Sequence, residues 1–169
     1  MSGRRTLGID PGLNITGYAI LESVRRGARV VEAGVIRPGK SAAALAGRLD
    51  VLHRGIVELL ETFDPVTLAL EQVHSHARFP RTALLMAHAR GVIMLAASQR
   101  GVPVCGYAPT RIKKTLTGSG RAPKEQMQHA IRVELGLERL PDPPDVADAC
   151  AVALCHLQLE RNQRGLIGH

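Results

Sequence analysis

Aromatic side chains are nearly missing from this 169-residue chain: there is no tryptophan, and Tyr18, Tyr107, Phe63 and Phe79 are the whole supply. The core must therefore be built from Leu, Ile, Val and Ala, and each of the four aromatics matters individually. Cysteine is equally scarce, with Cys105, Cys150 and Cys155 all in apolar surroundings. There is no Cys-x-x-Cys pair, and Cys150, Cys155 and His156 lack zinc-ligand spacing, which argues against a zinc site. Three unpaired thiols fit a reduced, cytoplasmic protein. No apolar run approaches the roughly 20 residues that span a bilayer, and the N-terminus lacks the charged-then-apolar pattern of a signal peptide. A membrane is therefore not an expected partner.

What is present points elsewhere. A hydrophobic content of 45% excludes general disorder. The length suits one domain, expected over residues 1–160, with a frayed tail at 161–169. The net charge of +7 and a sequence pI near 10.0 fit an anionic partner such as nucleic acid.

Three strand-like runs open the chain, at Arg4–Ile9, Ile15–Ser23 and Arg29–Ile36, and their short connections predict an antiparallel meander. Leu45, Leu49, Leu52, Ile56, Leu59 and Phe63 then recur at three- and four-residue steps, an amphipathic helix over Ala42–Phe63 that Asp64-Pro65 ends. Short strands at Thr67–Glu71 and Val102–Tyr107 alternate with helices and predict parallel pairing, hence an α/β mixed sheet. Thr82–Ser98 is a helix apolar on all sides, with Arg90 its only formally charged residue. Such a helix must be covered all round, either by the sheet on one face and a second subunit on the other, or as a central helix within its own chain. Leu84, Leu85, Ala89, Val92 and Leu95 are the expected dimer patch. Later helices are predicted near Lys124–Leu135 and from Asp145 to about Glu160.

The chemistry lies in the acids. Asp10 closes the first strand ahead of a Pro11-Gly12 turn, at the carboxyl end where open α/β sheets place their ligands. Glu71 closes the fourth. Asp145 and Asp148, three apart, share one face at a helix N-terminus. Clustered carboxylates repel unless a cation neutralises them, and an all-oxygen set favours Mg²⁺, with Mn²⁺ as a substitute, over zinc. The four should therefore converge at metal-bridging distance at one end of the sheet. Two ions about 4 Å apart suit phosphodiester hydrolysis by water, and no side-chain nucleophile stands in an evident triad. Lys113, Lys114, Arg121 and Lys124 on one side, with Arg78 and Arg81 on the other, would neutralise phosphates. Lys124 is also expected near the reacting phosphate.

Leu7-Gly8-Ile9-Asp10-Pro11-Gly12 with Thr16-Gly17, Glu71-Gln72-Val73, Ala89-Arg90-Gly91, Gly118-Ser119-Gly120 with Lys124, and Asp145-Val146-Ala147-Asp148-Ala149 through His156 resemble the motifs of RuvC-type Holliday junction resolvases, in the same order over nearly the whole chain. The resemblance implies a ribonuclease H-like fold with a five-stranded sheet and helices on both faces. It also implies a homodimer that nicks four-way DNA junctions with Mg²⁺, two ions per subunit, in recombination and repair. A branch-migration motor complex would be a further partner. It places the acidic quartet on Asp10, Glu71, Asp145 and Asp148, and junction-contacting cations on Lys113 and Lys124. The chain departs from the family where an aromatic often follows Glu-Gln-Val: here stands His74, with Phe79 later, so His74 and Phe79 are the candidates to meet the junction centre, with His76 a further expected nucleic-acid contact. Three other readings compete: an actin-like ATPase, for which the chain has only one of two required domains; a non-catalytic junction binder, which would lack an acid; and a nuclease of the same fold acting on RNA–DNA hybrid.

Overall fold

The computed structural model describes residues 3–39, 44–73 and 80–167. The element order is β1 (Arg5–Asp10), β2 (Thr16–Val24), β3 (Gly27–Ile36), α1 (Leu45–Phe63), β4 (Thr67–Glu71), α2 (Pro80–Gln99), β5 (Val104–Tyr107), α3 (Pro109–Thr117), α4 (Lys124–Leu135) and α5 (Pro144–Ile167). The strands form one sheet in the order β3-β2-β1-β4-β5. The first three pair antiparallel, and β4 and β5 add in parallel to β1, so the expected mixed sheet of five strands is present.

Alternation along the strands sorts side chains into two layers. Leu7, Ile9, Leu68 and Leu70 face one way and meet Leu52, Ile56, Leu59 and Leu60 of α1 and Ala89, Ile93, Ala96 and Ala97 of α2. Ala19, Leu21 and Ala69 face the other way, toward α5, Ile112 of α3 and Ile131 and Leu135 of α4. Helices therefore cover both faces. α1 ends where Asp64 turns left-handed, with φ 45°, and its amide donates to the Leu60 carbonyl ahead of Pro65.

α5 is the element that places chemistry. At two points it meets β1 and β2 backbone to backbone. A methyl group added to Gly8 would sit 2.4 Å from the Ala149 carbonyl oxygen, and one added to Gly17 only 2.0 Å from that of Asp145. Glycine in the strands and alanine in the helix allow this backbone approach. From Val146 to Leu157 nearly every α5 side chain is buried, Asp148 excepted. The helix runs on to Ile167, past the end expected near Glu160.

Candidate active site

The carboxyl ends of β1 and β4 bring two acids together. Ile9 pairs with Leu70, so the next residues, Asp10 and Glu71, stand side by side where the ladder ends. Strand parity points both toward the α5 face, the side of Gly8 and Ala69. Behind Asp10 the chain is clamped: the Thr16 hydroxyl donates to the Gly12 carbonyl at 2.5 Å and accepts the Gly12 amide at 3.2 Å. α5 begins against Gly17, the β2 partner of Asp10, which delivers Asp145 and Asp148 to the same corner.

Electrostatics show how closely the four carboxylates gather. Burial, then Glu71, Asp148 and Asp145, lift the Asp10 pKa from its ordinary 3.8 to about 8. Burial and Asp148 raise Glu71, against the pull of Lys113 and Arg90. Burial also raises Asp148, opposed by Lys124 and reinforced by Asp145. The expected convergence needs one correction. Among the described residues no three His, Cys, Asp or Glu side chains are grouped tightly enough to hold an ion. The acids share a corner without closing a cage. Their chemistry still fits a hard divalent cation: four carboxylates, with Asp10, Glu71 and Asp148 raised by burial first and by neighbouring acids second.

Beside the acids lies a cleft of about 550 Å³, lined at one end by Glu71, Asp148, Lys113 and Lys124 and walled by Ile112, Met127, Ile131, Leu140 and Ala151. Lys124 occupies the first turn of α4, where the helix dipole disfavours a cation. That placement has no structural benefit and suits a residue facing phosphate. Lys114 is different: it lies in the last turn of α3, where a cation complements the dipole. Lys114 and Arg121 are exposed and do not line the cleft, and Arg81 is exposed in the first turn of α2. His74, His76, Arg78 and Phe79 lie outside the described residues.

The α2 patch is also partly corrected. Ala89 is fully buried in its own core and cannot meet a partner, and Val92 packs against that same core. The outward residues are Leu84, 64% exposed, and Leu95, 52% exposed, with Met94 and Gly91 beside them; Leu85 is half-buried. One contact was absent from the expected site. Arg90 of α2 donates from Nη1 to the main-chain carbonyl of Glu71. Its signal was in the sequence, as the lone charge of an apolar helix.

Residues 6–156 match the family model described as crossover junction endodeoxyribonuclease RuvC. A protein of that name from Rhodopirellula baltica is 52% identical over 158 residues, covering 92% of this chain and 87% of the relative. The Thermus thermophilus RuvC structure superposes with a TM-score of 0.85 at 31% identity, over 94% of this chain and 96% of that one. A second T. thermophilus structure, in complex with a Holliday junction substrate, has the same TM-score at 30% identity and covers 95% and 96%.

Proposed function

The chain belongs to the RuvC family of crossover junction endodeoxyribonucleases, and from that premise we propose that it resolves four-way DNA junctions at the corner formed by Asp10, Glu71, Asp145 and Asp148. The observation that carries this reading is the joint placement of four carboxylates from β1, β4 and α5 against Lys113 and Lys124. Nucleases of this family are metal-dependent. The four acids would hold Mg²⁺, or Mn²⁺ in its place, as two ions per subunit. Bound there, the metal supplies an activated water and charge neutralisation at the phosphate.

The chain's own residues do the rest. Lys113 and Lys124 attract the phosphodiester to the acidic end of the cleft and offset the repulsion between its charge and the carboxylates. Lys124, beside Asp148, is the cation nearest the reacting bond. Asp10 and Glu71, on neighbouring strands, fix one side of the site, and α5 fixes the other. Lys114, Arg121 and Arg81, with Arg78 and the His74–Phe79 stretch, extend the phosphate and junction contacts beyond the cleft.

Two matched cuts in a two-fold junction call for two matched sites, which a two-fold homodimer provides. α2 supports that assembly, because it turns Leu84, Met94 and Leu95 outward while Ala89, Ala96 and Ala97 face in. A group of large apolar side chains exposed on one helix face is the kind of surface a partner covers. Among the described residues no helix is long and apolar enough to cross a membrane, and the cysteines are free, which supports a cytoplasmic setting. A branch-migration motor is a further candidate partner. The test is cleavage of end-labelled four-way junction, linear duplex and RNA–DNA hybrid with Mg²⁺, with Mn²⁺ and with chelator. Paired, symmetric nicks in the junction alone support the reading; equal cleavage of hybrid refutes it.

A further inference from the structure

Glu71 stands at a strand end that the sheet itself holds on one side only. Toward β5 the backbone continues, with the Gln72 amide donating to the Tyr107 carbonyl at 2.8 Å. Toward β1 the ladder has stopped at Ile9 and Leu70, and Pro11, just beyond, has no amide hydrogen to give. A guanidinium arrives from outside the sheet: Arg90 donates to the Glu71 carbonyl. Arg90 is half-buried, with Ala89 and Ile93 of the same helix in the core. Placing a guanidinium there costs desolvation, and α2 would pack as well around Met or Gln. What the charge adds is a charge-assisted hydrogen bond to a strand end that carries a site carboxylate.

We propose that Arg90 is a positioning residue for hydrolysis: from α2 it holds the end of β4 so that the Glu71 carboxylate stays in register with Asp10. Its hydrogen bond goes to the Glu71 main-chain carbonyl, and its charge also draws on the Glu71 carboxylate beside it. The inference rests on the assignment of Glu71 to the active site. It also joins two parts of the molecule, since the helix that holds Glu71 is the one whose outer face carries Leu84 and Leu95.

R90M and R90K test it. Each variant is compared with wild type in single-turnover cleavage of a labelled four-way junction, junction affinity without metal, Mn²⁺ binding by calorimetry without DNA, and thermal unfolding. R90M should slow cleavage roughly ten- to hundredfold, the usual effect of about an ångström of misplacement. Its junction affinity should stay within about twofold of wild type, because rate rather than binding depends on register. Mn²⁺ binding should weaken severalfold, and R90K should recover part of both losses. R90M cleaving at the wild-type rate overturns the proposal. So does a rate loss fully matched by loss of folded protein with Mn²⁺ affinity unchanged. If R90M does not fold, R90K carries the comparison, and a wild-type rate and Mn²⁺ affinity in R90K overturn it. An uncut junction with wild type would instead remove the nuclease reading, while the Mn²⁺ comparison still reports on Arg90.

Discussion

In metal-free protein, Asp10 should make stability fall as pH rises, the reverse of an ordinary salt-bridged acid. Its pKa moves from 3.8 in the open chain to about 8 in the fold, through burial first and the neighbouring acids second. Between those values the folded chain keeps a proton that the unfolded chain has released. Stability is therefore full below about pH 4 and erodes as pH climbs toward 8, by up to about 1.4 kcal/mol per pH unit. From pH 5 to 7 the loss from this one group is about 3 kcal/mol, a large share of a typical domain's stability. Glu71 and Asp148 are raised as well and steepen the slope. Asp10→Asn keeps the shape and removes the charge, so in chelator it should unfold less readily than wild type at pH 7 and show a shallower pH dependence. Mg²⁺ should reverse the order, stabilising wild type by mass action and the variant far less. Urea unfolding of both proteins at pH 5, 6 and 7, with chelator and then with Mg²⁺, measures all of this. A wild-type stability in chelator that is flat or rises over that range refutes the reasoning, as does Asp10→Asn with the wild-type slope.

Three further outcomes are expected. Gly17→Ala puts a methyl 2.0 Å from the Asp145 carbonyl oxygen, so α5 must shift. It should lose about 1–3 kcal/mol in calorimetry and lose cleavage beyond what the folded fraction explains, and wild-type stability would contradict the packing described. Lys124→Ala should slow cleavage and flatten the salt dependence of junction binding by about one unit of slope; no change in either would remove Lys124 from the site. Leu95→Asp or Leu84→Asp should turn a dimer into monomer in sedimentation equilibrium, because an unpaired charge buried at an interface costs several kcal/mol. Wild type sedimenting as a monomer at micromolar concentration while still making paired cuts would refute α2 as a preformed interface.

Strand ends and turns were the most legible features. Pro11-Gly12 and Asp64-Pro65 stop their elements, and Asp10 and Glu71 close β1 and β4. The facing of α2 was not legible. A helix apolar all round carries no periodicity to say which side is inside, so Ala89 and Val92 join the expected patch although both turn inward. The structure reverses part of that, because α2 packs closely against α1 and the sheet through Ala89, Ala96 and Ala97. The end of α5 was hidden for a related reason: beyond Glu160 the polar residues signal exposure, and exposure does not end a helix. The Arg90 contact depends on where β1 runs out relative to α2, a long-range fact that no local pattern encodes.

The seating of α5 on Gly8 and Gly17 has a mechanical consequence. In most folds, two elements that share a site are separated by a layer of side chains, and that layer is compliant: rotamers shift, and small errors are absorbed. Here the path from Asp10 to Asp145 and Asp148 runs from strand backbone straight to helix backbone, with no soft material in the path. Repacking elsewhere in the core cannot retune that spacing, and thermal loosening of the core reaches it last. Glu71 belongs to a different linkage, set by its strand pairing and a guanidinium tether. The corner is thus held by two different linkages, one of direct backbone contact and one of hydrogen bonds.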